Sequence, residues 1–438
     1  MAPEALPPRT FRQRTGYVLR YTLTTLFRAA VRGLRLLRIV PTHSADRAQP
    51  TMLIVHLTPH LGDAIMVMPM IEALRASNPD ARIEFAVEAS AAVLLRSMPE
   101  LDHVYGLQLG QEPPATPFRA IGRALLVSRV WWKHMRGLAP GICLMPRWDN
   151  DQYRSSLLAW LLDAPQRIGF ASDAVPSSRP APYRDRFLTR ALRGGSGLHE
   201  AEHFCLLAAE AGLIPASAVP QAGNAPLRSL RRIAELEDWP SLAERLGVDP
   251  TRPFAIVAPG ASMPRKVWPI ARWAQVCDAL SDRGFDVVVL SGPSDRACAE
   301  ELHKLCGSRT ILAAGVTTLL ESATLLSRSS VFLGGDSGPG HLAGALGTPC
   351  VILFASIAGG NHDDVLSPHR IRPLGPSVVA CCPPHNLPPC NGGCRATEAH
   401  CLTLIDLDQV LSALDTALEP SAAASPAVLS ANPGALSR

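Results

Sequence analysis

Two α/β halves, each wound around a parallel sheet, are the fold this chain predicts, and three observations predict it. Short apolar runs alternate with longer amphipathic stretches from Thr51 to Leu418, the pattern of repeated βαβ units. The alternation breaks once, at the Pro/Ala/Gly-rich stretch Pro215–Pro226, and then resumes. The 438 residues exceed what one ordinary hydrophobic core holds, so two domains are expected, with a central cleft between them.

The first half opens with Thr51–Leu57, a nearly uninterrupted apolar run that reads as a strand buried on both faces. Asp63–Ser77 reads as a helix, with an acidic residue in its first turn and Arg75 in its last. Arg82–Val87 is a strand, Ala89–Ser97 a short helix and His103–Leu107 a strand. Arg119–Arg136 is a helix, Gly141–Met145 a strand, Tyr153–Leu162 a helix and Arg167–Phe170 a short strand. Ser172–Pro182 is a Pro/Ser loop, and His199–Ala211 closes the half as a helix.

The second half begins with the mostly helical stretch Leu227–Leu246. Strands at Phe254–Ala258, Asp286–Leu290, Thr310–Leu312, Ser330–Leu333 and Cys350–Phe354 then alternate with helices at Ile270–Arg283, Asp295–Cys306 and Thr318–Ser327. Asp406–Leu418 is the last helix. The predicted organisation is a basic helix and linker over 1–50, one α/β domain over 51–220, and a second over 221–418 that carries a Cys-rich loop at 381–401. The Ala/Ser/Pro-rich residues 419–438 are predicted to be disordered.

Charge is unevenly distributed. Residues 1–45 hold eight arginines and one glutamate, while the whole chain has a net charge of only +4, so the main body is mildly acidic. That balance and an aromatic content of 5% argue against a nucleic-acid surface. Within 11–40, Leu23, Phe27, Ala30, Val31, Leu34 and Leu37 fall on one side of a helical wheel and Arg28, Arg32 and Arg35 on the other. The pattern suits a helix lying in an anionic membrane surface; a helix packed on the protein's own body with a solvated Arg face fits it equally. Neither a run long enough to span a membrane nor a secretory signal is legible.

Three segments can carry chemistry, each after a predicted strand. His60-Leu-Gly-Asp63 places a carboxylate at the start of a helix, where it serves either as an N-cap or as a general base. Ala258-Pro-Gly-Ala-Ser-Met-Pro-Arg-Lys-Val-Trp-Pro269 offers Gly260, Ser262 and Lys266 to an anion, or is a surface loop with two solvated cations. Gly334-Gly-Asp-Ser-Gly-Pro-Gly-His341 puts Asp336, Ser337, Gly338 and His341 where a small-residue helix begins and unpaired N–H groups face outward. Neither a Gly-Lys-Ser/Thr loop nor a Gly-x-Gly-x-x-Gly turn after the first strand is present, which disfavours a P-loop enzyme and a dinucleotide dehydrogenase.

In order and spacing these segments resemble glycosyltransferase family 9, the bacterial ADP-heptose:lipopolysaccharide heptosyltransferase family of GT-B fold. The resemblance covers Thr51 to Leu418. It rests on Gly62-Asp63 with Pro69 and Leu74-Arg75, on Pro259-Gly-Ala-Ser262 with Lys266-x-Trp-Pro269, on Gly292-Pro293, and on Asp336-Ser-Gly-x-x-His-Leu-Ala343 with Gly347-Thr-Pro349.

It implies two Rossmann-like domains and inverting transfer from a nucleotide-diphospho-sugar, ADP-heptose being one candidate. The acceptor would be the lipopolysaccharide core or another cell-envelope glycan. By position, Asp63 would be the catalytic base, and Ser262 and Lys266 would hold the diphosphate. Asp336, Ser337, Gly338 and His341 would line the donor sugar and phosphates. Thr317 and Thr318 would border the base, and Asp295 would reach the ribose. No cofactor is implied. Peripheral association with the inner face of the cytoplasmic membrane is expected. The alternatives are a sugar-nucleotide epimerase or hydrolase of the same fold, and a non-catalytic nucleotide-sugar-binding protein.

Cys381, Cys382, Cys390, Cys394 and Cys401 form a cluster among the eleven cysteines. They could supply a four-thiolate zinc site, but no pair of C-x-x-C knuckles is present, and thiols without a metal, or an oxidisable pair, are the expectation.

Overall fold

The computed structural model describes residues 51–109, 119–148, 151, 154–174, 185–219, 227–261, 263–388, 390, 396–419 and 428–429, together with 22, 24–26, 28–33 and 36. The chain divides into two compact units. One comprises Met1–Pro59, Pro69–Ser196 and Ala201–Val219; the other comprises His60–Met68, Gly197–Glu200 and Pro220–Arg438.

The first unit is built on a six-stranded, all-parallel sheet of β1 (Met52–Val55), β2 (Ile83–Glu88), β3 (His103–Leu107), β4 (Ile142–Met145), β5 (Gln166–Phe170) and β6 (Arg190–Leu192), in the order β3-β2-β1-β4-β5-β6. β1 is buried throughout, as its apolar run requires. β6 was not legible in advance, because Arg190-Ala-Leu192 is too short and too polar to read as a strand. The predicted helix over Asp63–Ser77 is two helices, Leu61–Met66 and Met68–Ser77. Pro69 has no N–H to give to the preceding turn, so the first helix stops before it.

The N-terminal helix is seen at its described positions between Thr22 and Leu36. Val31 is buried in the first unit's core with Trp160 and Phe187. Arg28, predicted on a solvated face, instead lies 5.8 Å from the Trp160 ring centre and 5.9 Å from that of Phe187. A guanidinium is favourable over an aromatic face, and its stem covers apolar surface. Arg186 Nη1 donates to Thr25 Oγ1 at 2.9 Å. This part of the helix is therefore packed on its own body, while Leu26 and Leu36 remain 62% and 86% exposed. Leu23, Phe27, Leu34, Arg35 and Leu37 lie outside the described residues. Among the described residues no helix is long and apolar enough to cross a membrane.

The second unit has a seven-stranded parallel sheet: β7 (Phe254–Ala258), β8 (Asp286–Ser291), β9 (Thr310–Ala314), β10 (Val331–Gly335), β11 (Cys350–Leu353), β12 (Val378–Cys381) and β13 (Val428–Leu429). Their order is β13-β12-β11-β10-β7-β8-β9. β12 had been missed, and β13 pairs two residues of the tail predicted to be disordered; the rest of that tail lies outside the described residues. Trp268, Trp273 and the helix Leu407–Leu418 join β7, β8 and β11 in the main core.

Two short segments depart from the predicted boundary near 220 and group with the second unit. His60–Met68 does so because the helix Leu61–Met66 packs on the helix Gly338–Leu346: a Cβ on Gly62 would lie 2.6 Å from the His341 ring, and one on Gly338 would lie 3.2 Å from Leu61. Gly197–Glu200 is tied down by polar contacts. Gly197 N–H donates to Asp363 Oδ1 at 2.9 Å, His199 Nε2 donates to Arg372 O at 2.7 Å, and Arg370 pairs with Glu200 at 2.7 Å with both side chains buried. Burial first, with Arg372 beside it, holds the His199 imidazole down at about 3, so it is neutral.

A tight glycine contact in this core predicts a measurable penalty. A Cβ on Gly344 would lie 2.5 Å from Leu374 O and 2.8 Å from Pro373 Cβ, so the backbone must move to admit it. Gly344→Ala is expected to lose about 1–3 kcal/mol in denaturant unfolding. Gly137→Ala, with nothing within 4 Å, should stay within about 0.5 kcal/mol.

Candidate functional site

In the second unit the chain leaves β7 toward one edge through β8 and β9, then returns to place β10 on the other side of β7. β7 and β10 pair in register, Ala258 opposite Gly334, so both run out at the same edge of the sheet. Ligands of open parallel sheets bind outside the carboxyl ends of the strands at such a reversal. The loop after β7 carries Lys266, and Asp336 follows β10 directly.

The two side chains meet. Lys266 Nζ lies 2.5 Å from Asp336 Oδ2, and the side chains are only 13% and 6% exposed. His341 Nε2 lies 3.4 Å from Asp336 Oδ1. Burial would push the Asp336 carboxyl up; the Lys266 charge, with the hydrogen bond and charge of His341, outweighs it and holds the group well below the usual carboxylate range.

Local structure fixes each member. Lys266 ends a short 3₁₀ turn, Pro264–Lys266, closed by its N–H to Met263 O at 2.9 Å. Two residues on, Trp268 is buried and its Nε1 donates to Ile405 O at 3.1 Å, which pins the loop from below. Gly335 is needed for close approach, since a Cβ there would come within 3.2 Å of Lys266 O. Ser337 is the N-cap residue of the helix Gly338–Leu346, but its side chain makes no capping bond. Ser337 Oγ and His341 Nδ1 are both buried without a hydrogen-bond partner. Such atoms are rare in native proteins and need an explanation. The Ser337 hydroxyl and the N–H groups of Gly338 and Gly340 in the first turn form a donor-rich surface at a helix N-terminus, suited to an anion. His341 gives its Nε2–H to Asp336, which leaves Nδ1 an acceptor on the neutral ring.

The remaining predicted residues fall in different places. Asp295 lies against the β7 loop: a Cβ on Gly260 would come 2.5 Å from the Asp295 Cβ. Thr318 is occupied in a capping box, accepting from Glu321 N–H while Glu321 accepts from Thr318 N–H, and Thr317 Oγ1 is 2.9 Å from Ser322 Oγ. That gives the Thr pair a structural role in starting the helix Leu319–Arg328. Ser262 lies outside the described residues. Asp63 is not an N-cap: His60 holds that position, and Asp63 is the third residue of the helix, half-buried, next to the Gly62 that touches His341.

Three residues were missed. Ser291 Oγ at the end of β8, Ser356 Oγ just beyond β11, and Arg265 Nε beside Lys266 are buried without partners. Position at a strand's carboxyl end was the signal that could have singled out the two serines.

The ion pair predicts a reversal of pH dependence. In the parent, Asp336 has a folded-state pKa below its unfolded value, so its contribution is present above about pH 4 and lost as the solution is acidified below that. In Lys266→Met the lysine charge is gone and burial acts on the carboxyl. Leaving one partner of a buried pair costs about 3–5 kcal/mol near neutrality. Part of that loss should be recovered as pH falls toward 5, because Asp336 can then be buried as the neutral acid. Denaturant unfolding between pH 5 and pH 8 checks the sign; a uniform loss across that range would deny the pair its electrostatic role.

Residues 149–400 match the family model for glycosyltransferase family 9 (heptosyltransferase). The chain is 26% identical over 299 residues to a lipopolysaccharide heptosyltransferase 3 of Escherichia coli, covering 67% of this chain and 81% of that protein. To lipopolysaccharide heptosyltransferase 2 of Salmonella typhimurium it is 24% identical over 324 residues, 71% and 84% of the two chains. Among solved structures, a glycosyl transferase family 9 protein from Veillonella parvula aligns with TM-score 0.60 at 20% identity, covering 84% of this chain and 97% of the other. The E. coli heptosyltransferase WaaC with ADP aligns with TM-score 0.60 at 15% identity, covering 84% and 100%. The paired sheets have the GT-B fold of these structures. With the family model spanning more than half of the sequence and the motifs gathered at the β7–β10 reversal, the chain belongs to glycosyltransferase family 9.

Proposed function

We propose that this chain is an inverting glycosyltransferase that moves a heptose from ADP-heptose to the lipopolysaccharide core. The observation that carries the reading is the set of buried donors beside Lys266 and Asp336, at the carboxyl end of the sheet that holds the donor nucleotide in a GT-B enzyme. The names of the relatives support the sugar and the acceptor, and a solved heptosyltransferase of the same fold holds ADP.

In this reading the donor diphosphate sits on the Gly338 helix N-terminus, with Lys266 and Ser337 Oγ as partners and His341 lining the site from its place beside Asp336. Asp336 sets the position of Lys266 and stays ionised because of it. Asp63 accepts the proton of the acceptor hydroxyl as that oxygen attacks the anomeric carbon. The bond from that carbon to the diphosphate breaks in the same displacement, and the nucleoside diphosphate leaves with the electron pair, so configuration inverts. Charge gathering on the leaving group is met by the lysine and by oriented N–H groups. Ser262 joins the diphosphate contacts and Asp295 approaches the ribose. The exposed residues of the N-terminal helix rest on the anionic inner face of the cytoplasmic membrane, where a glycolipid acceptor is presented.

Asp63→Asn tests the base. Transfer should fall about 10²–10⁴-fold while equilibrium binding of ADP-heptose is nearly unchanged. Unchanged transfer removes Asp63 from that role, and loss of donor binding moves it to the donor site instead.

The membrane reading has its own test. Replacing exposed Leu26 and Leu36 by Glu should cut partition onto anionic vesicles at least about tenfold, since each buried leucine contributes about 1.5–3 kcal/mol. Val31 is left intact because it belongs to the core. Partition equal to the parent would show that the helix is not the anchor.

A further inference from the structure

The loop between β12 and the last helix gathers three soft donors. Cys390 Sγ, Cys401 Sγ and one ring nitrogen of His400 all lie within 4.8 Å of one another, and both cysteines are buried. His400 Nδ1 is 3.9 Å from Cys390 Sγ and 3.4 Å from Cys401 Sγ. A tetrahedral zinc with bonds of about 2.3 Å to sulfur and about 2.0–2.1 Å to nitrogen places those ligand atoms about 3.6 Å apart. The two separations bracket that edge length.

The backbone is folded to hold the donors in place. Leu387 bridges the two cysteines: its N–H points at Cys401 Sγ, 3.3 Å away, and its carbonyl accepts from Cys390 N–H at 2.8 Å. An N–H directed at sulfur favours the thiolate form, as the outer hydrogen bonds of metal thiolates do. His400 is fixed from the other side, where its carbonyl accepts from both Thr403 Oγ1 at 2.7 Å and Thr403 N–H at 3.0 Å.

Cys381 and Cys382 are separate from this group. Cys381 lies in β12 within the main core, and burial raises both thiols, that of Cys382 to about 12. Cys394 lies outside the described residues and is not part of the assignment.

We propose that Cys390, His400 and Cys401 bind one zinc ion, with the fourth tetrahedral position taken by water or another donor. Two thiolates and an imidazole suit zinc over the oxygen-seeking cations. The ion acts as a clasp on the loop. The turn Cys401–Leu404 leads to Ile405, whose carbonyl accepts from Trp268 and from Arg272 Nη1 at 2.6 Å, so the clasp lies next to the anchor of the Lys266 loop.

The test is metal content of the full chain purified in reducing buffer without chelator, with Cys390→Ser/Cys401→Ser and His400→Ala beside it. The expected result is about one zinc per parent chain and below about one tenth in the double variant, with His400→Ala in between. Cobalt(II) added to zinc-stripped parent should give a thiolate-to-metal charge-transfer band that both variants lack or weaken. If the double variant does not fold, release of zinc from the parent on titration with a mercurial, in step with thiol modification, supplies the same answer. Substoichiometric zinc with no cobalt–thiolate band overturns the proposal. So does a full equivalent retained in the folded double variant.

Discussion

A carboxylate stays ionised away from water only beside a compensating charge, and at this site that charge belongs to Lys266. The requirement organises everything around the carboxyl ends of β7 and β10. Asp336 has to sit immediately after β10, so β10 ends in two glycines that let the β7 loop come close: a Cβ on Gly334 would stand 3.1 Å from Ala258 O, and one on Gly335 3.2 Å from Lys266 O. Lys266 must reach Asp336 from its own loop, so that loop is pinned by the buried Trp268 to the carbonyl of Ile405. His341 completes the enclosure, and Gly62 has no side chain because the imidazole occupies the space. One ion pair thus fixes residue choice over a span from Gly62 to Ile405.

Much of this was legible in the sequence because it depends on local signals. Short apolar runs bounded by turn residues, such as Phe254–Ala258 and Asp286–Leu290, read as strands, and glycines after a strand mark where the sheet can approach a ligand. Lys266, Asp336, Ser337 and His341 were singled out that way, and the structure places them side by side. What escaped depends on partners distant in sequence. β6 and β12 exist because neighbours of the sheet offer them a ladder. The hydroxyl of Thr318 accepts from Glu321 N–H three residues on, a capping signature that a reading by position alone does not use. Arg28 sits over Trp160 and Phe187, residues more than a hundred positions away, which no helical wheel can show.

The Cys-rich loop illustrates the same boundary in another way. Counting cysteines singled out the segment in which the structure brings Cys390, His400 and Cys401 together. The irregular spacing argued against a four-thiolate knuckle, and Cys381 is drawn into the core by its strand. His400 went unnoticed beside Cys401. A donor set is decided by where a loop folds back, and here it folds back through the Leu387 peptide.

The membership of His60–Met68 in the second unit bears on the order in which the molecule can be assembled. The ribosome delivers this helix far ahead of the helix Gly338–Leu346 that it lies against. Until the latter emerges, the apolar side of residues 61–66 has no permanent place and stands available to chaperones. Dissection meets the same difficulty. A fragment beginning near 220 would carry a complete sheet yet lack the segment that covers His341, so the surroundings of the Lys266–Asp336 pair would be unfinished at one wall. The two halves of this chain are therefore not interchangeable cassettes, and a shuffled or circularly rearranged version would have to carry residues 60–68 along with the second sheet.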